Sequence, residues 1–138
     1  MNPQPTARRV VLAPELFGRS FVDRDCGRVL ELWRDGSIEP VLNRGLLVHY
    51  LRMLHALKLP EPLVKRWAWW WNAADKAHFL SAEPSASASV IELCSWLAST
   101  AGATCVIHSG YPYAPPLALP TDRPAWLPAA AFLLPQTS

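Results

Sequence analysis

Hydrophobic positions along this chain follow two periods. Arg9-Val-Val-Leu12 is a short apolar run with β-branched residues, which suits a buried strand. The Pro14-Glu15 pair breaks it and predicts a loop, continued over residues 18–25 as a loop or short helical turn. Residues 27–35, GRVLELWRD, set Val29, Leu30, Leu32 and Trp33 at helical spacing, with Gly36 as the stop. Residues 37–42, SIEPVL, read as a second strand, although Pro40 has no N–H to give to a ladder. Asn43 is a good N-cap for the next segment. Leu46, Leu47, Tyr50, Leu51, Leu54 and Leu57 then form one helical stripe, the clearest pattern in the chain.

Lys58-Leu-Pro-Glu-Pro62 stops that helix and starts another, in which Leu63, Trp67, Trp70, Trp71, Ala74 and Ala77 mark one face. Trp69 is turned away from it. Two helices with so short a link predict a helical hairpin. Further on we expect a strand over 78–82, a small-residue loop over 83–89 and a helix over 90–100 ended by Ala101-Gly-Ala103. Next come a buried-type strand over 104–108 and irregular proline-rich chain over 109–124. A last strand over 124–127 leads into a closing helix from Pro128 to Leu134. Strands alternating with helices imply a parallel sheet covered on both faces. The expected architecture is one α/β domain over residues 1–138: three-layer α/β/α with a central parallel sheet, plus the hairpin.

Composition narrows the class. With 138 residues, 51% of them hydrophobic, the chain can bury a real core. No run of about 18 uninterrupted apolar residues occurs, and the opening MNPQPTARR lacks an apolar signal core, so a cytoplasmic location and no membrane partner are expected. Cys26, Cys94 and Cys105 are scattered and form no CxxC pair, which reads as reduced, partly buried thiols. The net charge of +2 is too small to argue for nucleic acid by itself. It is unevenly spread: residues 1–66 carry 11 of the 13 basic side chains against 7 of the 11 acids.

The order of elements, with RVVL at the start and RVLELWRDGSIEPVLNRGLLVHYLRMLHAL over residues 28–57, resembles the PIN domains of toxin–antitoxin systems. Members of that branch tend to carry a similar "LELWRDG", then a strand, then a helix opening like "SPALLAEL". Ala101-Gly-Ala103 is similar to the family's "AGADYLVTGD", and Trp126-Leu-Pro-Ala-Ala-Ala-Phe132 to its closing "ILTPAEFL". The resemblance implies a metal-dependent ribonuclease fold whose acids hold Mg²⁺ or Mn²⁺, since hard cations need charged oxygen ligands that let them activate water. It also implies that the hairpin surface serves dimer or antitoxin contacts. Aligned residue by residue, however, the family's acids fall on Ala13, His49, a position near Ser87, Thr104 and Gly110, none of them a carboxylate. The expectation is therefore a PIN-like fold with no catalytic residues, no metal and no cofactor.

Several residues have two readings. Glu15 is a displaced metal ligand or a solvated loop acid, the second being expected. Asp23 and Asp25 are cleft acids or helix-start acids. Glu15, His49 and His108 could form a remodelled imidazole–carboxylate site, which would suit zinc better than magnesium. Ser109 beside His108 lacks a G-x-S-x-G elbow. The cluster of Trp67, Trp69, Trp70 and Trp71 is expected to supply mostly core, while leaving an exposed aromatic that, with Lys65 and Arg66, forms an interaction surface. Protein contact, by self-association or with a small antitoxin-like partner, ranks above base stacking with single-stranded RNA. The leading expectation is thus an interaction protein. A PIN-type ribonuclease with unusual ligands and a non-cleaving RNA-binding module are the alternatives.

Overall fold

A computed structural model of the chain describes residues 8–73, 76–83, 89–109 and 125–133. Five parallel strands form one sheet: β1 (Arg8–Leu12), β2 (Ile38–Asn43), β3 (His78–Leu80), β4 (Cys105–His108) and β5 (Ala125–Pro128), in the order β3-β2-β1-β4-β5. Six helices intervene: α1 (Glu15–Arg19), α2 (Arg24–Arg34), α3 (Arg44–Ala56), α4 (Glu61–Asn72), α5 (Val90–Ala101) and α6 (Ala129–Leu133). Helices α3 and α5 pack together over β1 and β2, and α2 packs with α6, which gives the three-layer α/β/α arrangement. Val10, Val11 and Leu12 of the central β1 are wholly buried, as expected for a parallel strand covered on both faces.

Pro40 is accommodated by a change of neighbour. Residues Ile38 to Pro40 pair with β1, and Val41 to Asn43 pair with β3. The proline stands where the ladder passes from one strand to the next, so its missing N–H interrupts neither. The tip after β1 is not a loop. Pro14 and Glu15 open the short helix α1. Helix α2 starts earlier than its apolar spacing suggests, because the Asp23 side chain accepts from the N–H groups of Asp25 and Cys26 and caps it. Asp23 and Asp25 are thus helix-start acids. Ala74, Leu134 and the irregular segment over 110–124 lie outside the described residues.

The helices are tied together by aromatic rings. Phe17 of α1 meets Tyr50 of α3 at 4.8 Å, Trp71 and Trp67 of α4 at 5.2 and 5.5 Å, and Trp33 of α2 at 5.9 Å, mostly edge to face. Trp33 also donates through its indole N–H to the Lys76 carbonyl at 2.8 Å, and Tyr50 donates its hydroxyl to the Leu12 carbonyl at 2.6 Å. Both polar tips are satisfied inside the core. The α3–α4 pair has the short connection of a hairpin, and its second helix is anchored by these tryptophans. Leu51 and Leu57 of the α3 stripe remain 40% and 49% exposed.

Among the described residues, three have positive φ. Gly36 and Gly102 follow α2 and α5, where the absence of a side chain makes the left-handed conformation free of strain. The third is Lys58, with φ of 54°. It closes α3 in a Schellman arrangement: the Leu59 N–H reaches the Leu54 carbonyl and the Lys58 N–H reaches that of His55. A lysine thus occupies a position that glycine fills at no steric cost.

Two stability changes are expected from these contacts. Lys58→Gly should raise the unfolding free energy by about 1 kcal/mol, read from the shift of a urea midpoint at constant slope. Phe17→Ala removes the ring that four others touch and should cost about 3–5 kcal/mol in the same measurement.

Candidate functional site

An open parallel sheet binds ligands outside the carboxyl ends of its strands, at the point where the strand order reverses. Here the chain runs outward from β1 through β2 to β3 and then returns to place β4 on the other side of β1. The crevice therefore lies between the ends of β1 and β4. Ala13 stands at the first of these ends, wholly buried, its N–H donating to the Ile107 carbonyl at 2.9 Å. His108 and Ser109 stand at the second.

Glu15 crosses between them. It is 5% exposed, and its Oε1 accepts from both the N–H and the hydroxyl of Ser109, at 3.1 and 3.2 Å. Its Oε2 is buried with no hydrogen-bond partner. The expected solvated loop acid is instead a buried carboxyl that clamps the two strand ends together. Hydrophobic alternation does not reveal this, because α1 turns the residue inward directly after β1. Burial raises its pKa from the ordinary 4.5, while the Ser109 N–H, its own backbone N–H and the Ser109 hydroxyl act in the opposite direction. No cationic side chain is among the groups that shift Glu15.

The other titratable groups with shifted proton affinities, some beside Glu15 and some elsewhere, are weak acids and neutral bases. Burial pushes the Cys94 thiol up strongly and the Cys26 thiol up to about 12, the latter with help from Asp23. The Tyr50 hydroxyl is likewise raised by burial, and the negative charge of Glu15 adds to the shift of all three. His108, buried at the end of β4 with its ring 6.0 Å from that of Trp126, is held below the ordinary imidazole range by burial. His49, half-buried on α3, is lowered by burial and then by Arg52. The thiols thus stay protonated at neutral pH, and neither histidine is favoured in its cationic form.

The structure joins Glu15 to Ser109, the neighbour of His108, and does not gather the whole remodelled set. Among the described residues, no group of three or more His, Cys, Asp or Glu side chains is placed to hold a metal ion, so Glu15, His49 and His108 do not form one. Thr104 lies elsewhere. It precedes β4, and its N–H and hydroxyl both donate to the Arg9 carbonyl near the start of β1. That is the amino end of the sheet, a strand length from the crevice, so an acid there would not have faced a metal. Ser87 and Gly110 lie outside the described residues. Ser109 is legible in the sequence only as a neighbour of His108; its bonds to Glu15 depend on β1 and β4 being adjacent. Asn43 caps α3 as its sequence position implies, accepting from the Leu46 N–H; what sequence reasoning missed is that this buried side chain also donates to the Ala82 carbonyl and that Glu83 accepts from the Gly45 N–H.

The tryptophans divide. Trp67 and Trp71 are core and cannot belong to an interaction surface in this fold. Trp70 is half-buried between Trp33 and Lys76. Trp69 is 73% exposed and lines a shallow surface depression with Lys65, Ala68, Asn72 and Ala73. Lys65 is paired with Glu61 at 3.1 Å, and Arg66 borders a separate groove between α2 and α4. Among the described residues, no helix is long and apolar enough to cross a membrane. Compared with models of protein families, curated proteins and solved structures, the chain has no match.

The sign of the Glu15 shift gives a pH prediction. Its raised pKa means that folding favours the protonated acid, so its contribution is complete below the ordinary value of 4.5 and is lost as pH rises through the raised one. Urea melts should show stability falling across that window, and Glu15→Gln, which keeps the acceptor for Ser109, should flatten the profile. An unchanged profile in the variant would assign the pH dependence to other groups.

Proposed function

We propose that this chain is a PIN-like domain whose metal chemistry has been dismantled and which works by associating with another protein. The resemblance over residues 28–57 supports the family reading, and the parallel α/β/α fold agrees with it. The observation that carries the functional reading is the state of the crevice between β1 and β4. Ala13 fills the position where a nuclease of this kind needs its first carboxylate. The one acid that reaches the crevice among the described residues, Glu15, turns its Oε1 to Ser109 and buries its Oε2. A divalent cation needs several charged oxygens with an open side for water and phosphate. A single buried carboxyl whose pKa is raised provides neither the charge nor the opening.

The second reading, a ribonuclease with a rebuilt site, draws on the meeting of Glu15 with the His108–Ser109 end of β4. It would need His49 to join them. The third, a non-cleaving RNA-binding module, draws on the basic excess of the first half of the chain.

Calorimetric titration of the metal-stripped protein with Mn²⁺, and separately with Zn²⁺, should give no saturable heat. Tight Mn²⁺ binding would overturn the proposal and restore the nuclease. Zinc binding that disappears in His49→Ala would overturn it in favour of the rebuilt site.

A further inference from the structure

Helices α2 and α4 each turn one stripe of side chains toward the other. On α2 the stripe is Gly27, Leu30, Glu31 and Arg34, and on α4 it is Leu63, Arg66, Trp67 and Trp70. Both follow the alternating three-and-four spacing of a single helix face. Between them they leave a groove of about 160 Å³. Leu30, Leu63 and Trp70 are only half-buried in it. Gly27 contributes to the gap. It has no side chain, and beyond its own helix only the Ser20 carbonyl oxygen comes near where a Cβ would stand, at 3.3 Å.

The rim of the groove is cationic. Arg34 and Arg66 stand on opposite walls and are exposed. Among the described residues, neither guanidinium takes part in an ion pair or a hydrogen bond. Lys76 adds a third charge: its Nζ lies 5.6 Å from the centre of the Trp70 ring and donates to the Arg34 carbonyl at 2.7 Å. The nearby acids have other partners. Glu31 is paired with Arg28 at 2.9 Å, and Asp35, next to Arg34 in the chain, accepts from the Ser37 N–H. A carboxylate entering the groove thus meets two planar guanidiniums, the donors best matched to a planar anion.

Size and lining select the rest of the occupant. Pockets for drug-sized ligands begin at roughly 300 Å³. This groove is about half that, which suits a body of one or two fused rings. Indole and leucine walls favour an aromatic body, which they can meet face or edge on. A depression this short does not offer the run of stacking rings that single-stranded nucleic acid uses.

We propose that the α2–α4 groove binds a small aromatic carboxylate, its ring system against Leu30, Leu63 and the Trp67 and Trp70 indoles and its carboxylate on Arg34 and Arg66. The assignment goes beyond the association reading and depends neither on it nor on the fate of the metal site.

The probe is β-naphthoate, titrated into the full chain by calorimetry and by quenching of tryptophan emission, with β-naphthamide as its neutral counterpart. Naphthoate should bind saturably and about tenfold tighter than the amide. Arg34→Gln and Arg66→Gln should each weaken naphthoate several-fold and leave the amide unaffected. Both side chains are exposed and unpaired, so these variants keep the fold, which an unchanged urea midpoint verifies. Leu63→Trp, which fills the groove, should weaken both compounds, while Arg52→Gln on α3 changes neither. Equal affinity for the two compounds, absence of saturation by both readouts, or indifference to both arginine substitutions would overturn the proposal. Loss of binding in Arg52→Gln would place the anion elsewhere and overturn it too. So would displacement of naphthoate by oligouridine, or a dimer in sedimentation that Arg66→Gln dissociates, since the groove would then serve nucleic acid or a second copy.

Discussion

One ring organises the helices around the end of β1. Phe17 lies on a helix of only five residues, too short to be stable by itself, and it is held by rings from α2, α3 and α4. The same helix begins with Glu15. The contacts that seat Phe17 therefore also fix the carboxyl at the switch point, two residues earlier in the chain. At Gly18 the tip of the half-exposed Leu57 side chain lies within 2.6 Å of where a Cβ would stand, so α1 and the end of α3 are close at this point as well.

That arrangement explains why a carboxyl persists in a place that does not suit its charge. Burial alone disfavours ionised Glu15, and two donors on Oε1 offset only part of that cost. What the carboxyl supplies in return is a tie between the ends of β1 and β4, the two strands that flank the reversal of the sheet. A crevice closed in this way is poorly suited to metal chemistry. If the domain works by association, as proposed, its working surface lies on the helices and not at the strand ends.

Helix α3 shows how one amphipathic pattern divides between core and edge. Leu46, Tyr50 and Leu54 face the core, while Leu51 and Leu57, on the same stripe, stay partly exposed. Burial of the first set holds the helix on β2 and α5, and the second set lies at the edge of that contact.

The sequence by itself determined the order of the strands and of the helices other than α1, the caps at Asn43 and Gly102, the parallel α/β/α class, and the inward turn of Trp67 and Trp71 against the outward turn of Trp69. These arise from periods of two and of 3.6 residues and from local hydrogen bonding, which neighbours along the chain supply. Local signals failed where one residue's role depends on a distant one. Glu15 looks like a surface acid until β4, about ninety residues on, brings Ser109 to it. Thr104 aligns with an acid of a known site until the sheet places it at the opposite end of its strand. Pro40 seems wrong for a strand until the pairing passes from β1 to β3 at that residue. Each of these was decided by tertiary structure, because strand order and end-to-end placement are set by packing between residues far apart in the chain, and no periodicity along the chain records which strands become neighbours.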